Sequence, residues 1–292
     1  IAYAPFVQLS YAYVYLLGAE TSKAIPALMY LFFVVAFYGI LRRNTGKTLA
    51  ALATLFMMMA PEMLAFSSLS ATNVMQAIFA SLGIAYTASW LRSRHDHELY
   101  AGALLLGANM WCRNEGIVFI GAACIVLLVD CIRRKSYRKG WYFTGLALLP
   151  AVIWFVYMKV GGLYTEGMAI TRLFWDGEKA GEIVDGFWAL FANTLYYGWT
   201  FPAFALFVIA NLWFMVKSRD NVALLGMIVL SVVFYGLVIY HVDYVWDSMH
   251  NVLAYSSKRF FFCFVPMCWY FVATSRIARR GGDYIEQYLS LK

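Results

Sequence analysis

The sequence predicts an all-α integral membrane protein, a polytopic helical bundle of about nine transmembrane helices with interfacial helices in its outer loops. Of its 292 residues, 63% are hydrophobic and only 13% are charged, whereas an ordinary soluble domain has roughly 25% charged residues. The hydrophobic residues are also grouped into blocks close to the ~20 residues that cross a bilayer as an α-helix. These observations exclude a soluble globular enzyme, and we treat residues 1–292 as a single transmembrane domain.

Nine hydrophobic blocks, each bounded by polar or charged residues, are the predicted spans. Outside them we predict an outer interfacial segment at 1–18, an outer loop with an interfacial helix at 161–198 and a cytoplasmic tail at 276–292. In chain order, the predicted spans are 24–41, 49–66, 73–91, 99–112, 116–132, 141–158, 199–216, 221–240 and 260–275.

The distribution of Lys and Arg predicts the orientation of these spans. Alternate connections, together with the C-terminal tail, hold 16 of the 23 basic residues. Because basic residues are enriched in cytoplasmic loops, we expect these connections and the C-terminus in the cytoplasm of a bacterium, with the protein in the inner (plasma) membrane. The net charge of +7 then reflects topology, so membrane lipids and membrane proteins are the expected partners, and nucleic acid is not. Nine spans ending in the cytoplasm place Ile1 outside, which predicts an earlier crossing.

Two charged sites lie at the outer ends of spans, where an ionisable side chain is costly unless it has a function or a partner. The first is the turn Arg113–Gly116 between two short hydrophobic runs, and the second is Lys258 with Arg259, directly before the last span. A guanidinium group can donate two hydrogen bonds to a phosphate, so Arg259 suits a lipid phosphate. The alternatives are contact of Arg259 with ordinary lipid headgroups, and a structural ion pair between Arg113 and Glu115.

Further polar residues lie near the outer ends of the second and third spans. Glu62 is inside the second span and is costly in lipid unless paired, so we expect it to face the protein interior. The connection at 67–73 is rich in hydroxyl groups that could bind a sugar. Thr72 and Asn73 could equally cap the next helix, and capping is the preferred interpretation for these two residues.

His241, Asp243, Asp247 and His250 lie close together in the outer connection before Lys258. Their side chains are of the types that hold a divalent metal ion. Because their spacing matches no compact helical metal motif, an acceptor-binding or plain polar loop is the preferred interpretation, and no metal site is predicted. The sequence has no nucleotide-binding loop, zinc-protease helix or nucleophile elbow, so an enzyme of this kind would use a lipid-carried donor group.

Several short motifs follow one another along almost the whole chain. They are an outer segment with Pro5 and Leu16-Leu17-Gly18, a span ending in Leu41-Arg42-Arg43, a turn at Ser67–Asn73, the turn Arg113-Asn114-Glu115-Gly116, a long outer loop, and a late span with Arg259 and Pro266. This order resembles that of the polytopic glycosyltransferases of the GT-C type. The resemblance is strongest to the branch that includes protein O-mannosyltransferases and lipid A aminoarabinose transferases.

The resemblance implies that a sugar is transferred from a polyprenyl-phosphate donor to an acceptor on the outer face of the membrane. It places the main catalytic acid in a first outer loop, which would precede Ile1, so the carboxylate candidates within this chain are Glu115 and Glu62. It also implies that Arg259 holds the donor phosphate, and Lys258 and Arg113 are further candidates for this role. The candidates for binding the acceptor or the sugar are Asn73, His241, Asp243, Asp247 and His250.

The chain departs from the family pattern at two positions. It has Asn73 where a second acid is often found, and Glu115 where some members have a Lys before the glycine of the turn. With the main acid expected before Ile1, these departures favour an alternative: a non-catalytic GT-C-like membrane subunit of a larger complex that binds lipid or partner helices. An acidic residue after a preceding helix would favour the enzyme. A transporter ranks last, because paired broken helices in matching halves are not found.

Overall fold

The computed structural model describes residues 5–67, 69, 71–163, 169–171, 174–219, 221–244 and 248–290. These residues form sixteen α-helices and one π-helical turn at Val252–Ser257, between α13 and α14. The helices are α1 (Pro5–Leu16), α2 (Ala24–Asn44), α3 (Lys47–Met58), α4 (Pro61–Phe66), α5 (Thr72–Ser93), α6 (Asp96–Cys112), α7 (Gly116–Arg134), α8 (Arg138–Val160), α9 (Gly177–Ala192), α10 (Thr194–Tyr197), α11 (Thr200–Ser218), α12 (Val222–His241), α13 (Met249–Asn251), α14 (Lys258–Phe261), α15 (Phe264–Thr274) and α16 (Arg276–Ser290).

Helical structure covers each of the nine predicted spans. Six helices, α2, α5, α7, α8, α11 and α12, are long and hydrophobic enough to cross a membrane. The predicted spans 49–66, 99–112 and 260–275 correspond to shorter helices: the first is divided between α3 and α4, the second is the 17-residue α6, and the third is divided between α14 and α15. The all-α membrane class is therefore confirmed, whereas the number of nine crossings stays a prediction.

Pro61 interrupts the second predicted span. It occupies the first position of α4 and follows Ala60, whose backbone is extended. Proline has no backbone N–H and disfavours helical geometry in the residue before it, so α3 cannot continue through this point. The interruption places Glu62 in the first turn of a separate short helix.

Helices α5 and α15 form the centre of the bundle. Most of α5 and every residue of α15 are buried, and α15 packs against α3, α5 and α11. The axes of α5 and α6 approach closely, because a Cβ added at Gly102 would lie 2.6 Å from Thr87 Oγ1 and one added at Gly83 would lie 2.7 Å from Leu106. These contacts pair the two helices in antiparallel register, so the start of α5 meets the end of α6.

The segment between α8 and α11 contains two helices and part of a small sheet. Asp176 caps α9 by accepting a hydrogen bond from the Lys179 N–H at 3.1 Å, and Asn193 caps α10. Strands β1 (Ala169–Thr171) and β2 (Val242–Tyr244) pair antiparallel and connect this segment to the end of α12. The all-α prediction missed this sheet.

Candidate functional site

The turn between α6 and α7 holds Arg113 and Glu115 as a bidentate ion pair. Arg113 Nη2 lies 2.7 Å from Glu115 Oε1, and Arg113 Nε lies 3.0 Å from Glu115 Oε2. Gly116 begins α7 so close to α6 that an added Cβ would lie 2.8 Å from the Met110 backbone. The turn therefore requires glycine at this position, and its tight geometry fixes the ion pair at the junction of the two helices.

The two members of this pair control each other's charge. Burial alone would raise the pKa of Glu115, but the charge and hydrogen bonds of Arg113 outweigh burial and lower the pKa, with a further contribution from Arg259. Burial alone would lower the pKa of Arg113, and the Glu115 carboxylate raises it instead. Glu115 is thus ionised and engaged, which makes it a poor general base at neutral pH.

Asn73 adds a third polar group to this turn. Its side chain is buried, and its Oδ1 accepts a hydrogen bond from Arg113 Nη1 at 3.4 Å. The expected capping role of Thr72 and Asn73 is wrong, because the N-cap of α5 is Ala71 and no side chain caps this terminus. Asn73 is the second residue of the helix, two positions after the N-cap, so it does not act as the cap, and its amide binds Arg113 instead.

Lys258 forms the second ion pair of the site. Its Nζ lies 2.7 Å from Glu62 Oε1 and 3.7 Å from the centre of the Tyr196 ring. The Lys258 carbonyl accepts a hydrogen bond of 2.7 Å from the hydroxyl of Tyr197, and burial raises the pKa of that hydroxyl, so it remains a donor. Glu62 is therefore paired and faces the protein interior, as the sequence predicted.

Arg259 differs from these two cations because no described carboxylate pairs with it. Its Nε donates to the carbonyl of Tyr255 at 3.2 Å, one turn earlier, and its side chain is half-buried. Its charge nevertheless contributes to the lowered pKa of Glu115, so Arg259 lies near the Arg113 turn. The three cations Arg113, Lys258 and Arg259 therefore have two described carboxylate partners, Glu115 and Glu62, which leaves one net positive charge.

Stacked aromatic rings hold the segment that carries Arg259. The Phe260 ring stacks on Tyr235 with 3.6 Å between ring centres, and on Phe119 with 5.1 Å. The wide π-helical turn Val252–Ser257 precedes this segment, and such turns are frequent at functional sites. The position of Arg259 is therefore set by rigid contacts to α7 and α12.

Helix α9 separates two cavities. A hydrophobic cavity of about 460 Å³ lies between α9 and α12, and Phe187 in its wall packs edge-on against Phe261 with 4.9 Å between ring centres. A polar cavity of about 710 Å³ lies on the other side of α9 and is lined by Glu178, Glu182 and Asp185. The first cavity suits a hydrocarbon chain, and the second suits a polar group.

The described chain does not gather the predicted cluster of His241, Asp243, Asp247 and His250 at one point. His241 lines the hydrophobic cavity, whereas His250 is exposed and lines the polar cavity. Asp243 lies in β2, where its backbone is paired with Ile170, and Asp247 lies outside the described residues. Within the described ranges, no three His, Cys, Asp or Glu side chains lie close enough to hold a metal ion.

The sequence analysis missed buried amide side chains below the Arg113 turn. Gln76 and Asn109 are buried between α5 and α6, and their side-chain amides have no hydrogen-bond partner among the described residues. Gln76 lies one turn after Asn73, and Asn109 lies one turn before Arg113. Their amides inside otherwise hydrophobic spans were the available signal, because such groups are costly in lipid.

Comparison with known proteins gives one match. Residues 5–157 match the family described as dolichyl-phosphate-mannose-protein mannosyltransferase. This range is slightly more than half of the chain and includes Glu62, Asn73 and the Arg113 turn, whereas Lys258 and Arg259 lie beyond it. Neither a curated protein nor a solved structure matches. Since the family is of the GT-C type, the predicted resemblance is confirmed, and the chain belongs to the dolichyl-phosphate-mannose-protein mannosyltransferase family of membrane glycosyltransferases.

Proposed function

We propose that the protein transfers a sugar from a polyprenyl-phosphate carrier to an acceptor on the outer face of the membrane. Family membership supports the glycosyltransferase activity, and the observation that carries the choice of donor is that no carboxylate of the described residues pairs with Arg259. Arg113 and Lys258 are already neutralised by Glu115 and Glu62. The remaining positive charge matches a sugar phosphodiester, which carries one negative charge, whereas a diphosphate carrier would leave one negative charge uncompensated.

In this proposal Arg259 binds the phosphate of the donor. Its guanidinium can donate two parallel hydrogen bonds to the phosphate oxygens. The acceptor hydroxyl attacks the anomeric carbon, the bond from that carbon to the phosphate oxygen breaks, and the acceptor proton passes to a general base. Arg259 then stabilises the second negative charge that develops on the departing phosphate.

Glu115 and Glu62 act as positioning residues in this mechanism. Each is ion-paired, and the pKa of Glu115 is lowered, because burial, which raises it, is outweighed by the charge and hydrogen bonds of Arg113 together. Neither carboxylate is therefore suited to accept the proton of the acceptor. Glu115 orients Arg113 beside the phosphate, Glu62 holds Lys258, and the general base is another carboxylate.

The hydrophobic cavity between α9 and α12 supports a lipid-linked donor. Phe187 in its wall contacts Phe261, which is two residues after Arg259. A carrier whose phosphate is bound by Arg259 can place part of its isoprenoid chain in this cavity. Because the chain leaves an equally apolar bilayer, the cavity orients it by packing and contributes little hydrophobic affinity.

The polar cavity on the other side of α9 is our proposed location for the acceptor. It combines the carboxylates of Glu178, Glu182 and Asp185 with the exposed His250. This assignment gives His250 the acceptor-binding role predicted for its segment. The roles of His241 and Asp243 at the acceptor stay predictions.

We further propose nine crossings, with the Arg113 turn and Arg259 on the outer face and the C-terminus in the cytoplasm of a bacterium. The distribution of basic residues supports this orientation. Asn114 is exposed between Arg113 and Glu115, so Asn114→Cys should react with a membrane-impermeant thiol reagent added to intact cells. Reaction only after the cells are opened would reverse the orientation.

The donor proposal is tested by Arg259→Ala in the full-length protein, reconstituted in lipid vesicles with a polyprenyl-phosphate sugar. A hydrogen bond to a charged group contributes about 1.5–3 kcal/mol, so we expect the transfer rate to fall roughly 10- to 100-fold. Arg259→Lys should retain part of the rate, because it keeps the charge but loses the two-pronged geometry.

The matched control is Arg133→Ala, which removes an exposed cation near the other end of α7 and should leave transfer unchanged. Undiminished transfer by Arg259→Ala would remove Arg259 from the mechanism. An equal loss in the control would indicate a general effect of net charge.

The second candidate is a non-catalytic subunit that binds the carrier lipid. It is favoured by the ion pairing of both Glu62 and Glu115, which leaves no free carboxylate beside the described cations. Such a subunit would bind the polyprenyl-phosphate sugar, lose that binding in Arg259→Ala, and transfer no sugar. Measured transfer that falls together with binding would instead support the enzyme.

A further inference from the structure

The C-terminal helix α16 presents three chemically different faces. Residues three, four, seven and eight positions apart lie on the same side of an α-helix. At about 100° per residue, Gly282 and Glu286 lie on one side, Arg276, Arg280 and Asp283 on a second, and Ile277, Tyr284 and Ile285 on a wider third arc that adjoins the second between Arg280 and Tyr284. Only the first side is directed at the bundle, so the exposed hydrophobic arc requires an explanation.

The first face of α16 packs on the bundle. Glu286 Oε1 accepts a hydrogen bond of 2.9 Å from the backbone N–H of Thr48 in the first turn of α3. Gly282 lies against Leu49, and a Cβ added there would lie 3.2 Å from that side chain. At the other end of α16, the Ile277 N–H donates to Asn211 Oδ1 of α11 at 3.2 Å. The helix therefore bridges α3 and α11.

The second face is polar. Arg280 and Asp283 are exposed, and the guanidinium groups of Arg276 and Arg280 lie 4.8 Å and 5.3 Å from the ring centre of Phe214. A cation over an aromatic ring keeps its charge, so these contacts leave both charges at the surface. This face suits water and charged headgroups.

The third face is hydrophobic and exposed. Tyr284 is 78% exposed, and Ile277 and Ile285 are also exposed although both are aliphatic. It lies away from the face that packs on α3 and adjoins the polar face, because Tyr284 is one turn after Arg280. A helix with a polar and a hydrophobic face, Arg on the former and a bulky ring on the latter, is typical of one that lies in the plane of a membrane interface.

The charge around α16 identifies the kind of membrane surface. The two helices that α16 bridges carry basic residues near α16. Lys47 begins α3, Lys217 lies near the end of α11, and Arg219 directly follows the last residue of α11. Together with Arg276 and Arg280, they concentrate positive charge at this end of the bundle. Basic residues near an anionic membrane surface are attracted to it.

We propose that α16 is a membrane-docking helix, with Ile277, Tyr284 and Ile285 inserted at the headgroup–acyl boundary of a leaflet rich in anionic phospholipid. Its polar face remains in water beside the lipid headgroups. The helix thereby anchors the start of α3 through Glu286. This surface lies at the end of α15 opposite Arg259, so it is independent of the proposed transfer reaction.

Spin labels at adjacent positions test this proposal in the full-length protein. The variants Asp283→Cys, Tyr284→Cys and Ile285→Cys are reconstituted in nanodiscs of phosphatidylcholine with phosphatidylglycerol. Collision of the label with oxygen, which concentrates in lipid, is compared with collision with a neutral nickel chelate, which remains in water. The unmutated protein carried through labelling gives the background from its own cysteines.

We expect the ratio of oxygen to nickel collisions to be at least threefold higher at positions 284 and 285 than at position 283. Nanodiscs of phosphatidylcholine alone should lower the ratio at 284, because the attraction of Arg276 and Arg280 is lost. Equal ratios at all three positions would place the face in water, and protection of 284 and 285 from both reagents would indicate a protein partner or a second copy. Either result, or indifference to the anionic lipid, overturns the proposal.

Discussion

Arg113 and Arg259 are both cations at the ends of hydrophobic helices, but the structure treats them differently. The Arg113 side chain is 11% exposed and pairs with Glu115, which is 25% exposed, and Asn73 adds a further acceptor. Arg259 is half-buried and donates to its own helix backbone. The first cation already has its counter-charge within the protein, whereas the second has none among the described residues and is the one that we propose binds an external anion. A costly charge therefore indicates a ligand only after its internal partners have been counted.

The comparison predicts opposite effects on stability and activity. Glu115→Ala leaves Arg113 buried without its carboxylate, and removal of one member of a buried pair costs about 3 kcal/mol in the free energy of unfolding. Arg259→Ala breaks no ion pair among the described residues and removes only the hydrogen bond to the Tyr255 carbonyl, so its free energy of unfolding should change by no more than about 0.5 kcal/mol. Unfolding by SDS from mixed micelles, followed by circular dichroism, measures both values. Equal losses in the two variants would show that Arg259 also has a structural partner.

The contribution of the Arg113–Glu115 pair to stability should also depend on pH. The variant Glu115→Gln, which cannot ionise at this position, measures that dependence by comparison with wild type. Burial is the largest single effect on the pKa of Glu115 and raises it, but the charge and hydrogen bonds of Arg113, with a contribution from Arg259, together lower it. A carboxylate whose pKa is lower in the folded state contributes stability above its ordinary pKa of about 4.3 and loses this contribution as the pH falls through the folded value. The difference in unfolding free energy between wild type and Glu115→Gln should therefore be constant from neutral pH to about pH 5 and shrink below it. A difference that shrinks near neutral pH would contradict this assignment.

The sequence predicted most of the helical architecture for a simple physical reason. Length and hydrophobicity of a block determine whether it can cross a bilayer, and both are local properties. The boundaries of α5, α7 and α12 accordingly fall close to the predicted limits. The division at Pro61 was less visible, because the hydrophobic run continues through it. The small sheet between β1 and β2 depends on pairing of distant segments, which no local pattern reports.

The candidate site could be predicted only in part. Charge and position identified Arg113, Lys258 and Arg259, but a sequence does not show which carboxylate each cation meets. The contact between Glu62 and Lys258 joins residues almost two hundred positions apart. It depends on tertiary packing, since α4 packs against α10 and Tyr197 of α10 hydrogen-bonds to the Lys258 carbonyl. The local preference of Asn for helix N-caps predicted a capping role for Asn73. Its side chain instead accepts a hydrogen bond from Arg113, a residue forty positions later, and a local pattern does not report such a contact.

The ion pair of Lys258 and Glu62 should contribute to the free energy of unfolding by an amount between those of Arg113 and Arg259. Its side chains are 23% and 12% exposed, and Tyr196 also contacts the ammonium group. In a double-mutant cycle of Glu62→Gln and Lys258→Met, we expect a coupling free energy of about 1 kcal/mol, smaller than the cost of Glu115→Ala. The same unfolding assay measures it. A coupling near zero would mean that Glu62 does not neutralise Lys258 in the membrane, and two positive charges would then be available to the donor.

The smallest expected effect tests whether the anion at Arg259 belongs to a lipid. Gly236 lines the hydrophobic cavity, and a Cβ added there meets only the Phe187 ring, at 3.4 Å. Gly236→Leu should therefore fill the cavity without strain and raise KM for a long polyprenyl carrier about fivefold, equivalent to about 1 kcal/mol. A water-soluble carrier with a short isoprenoid chain does not reach the cavity and should keep its KM.

The matched control is Gly145→Leu, since a Cβ at Gly145 meets nothing within 4 Å. An equal rise in KM for both carriers would place the effect at the phosphate. No rise in KM for either carrier would show that the donor does not use the cavity, and the proposal would then rest on the Arg259 charge alone.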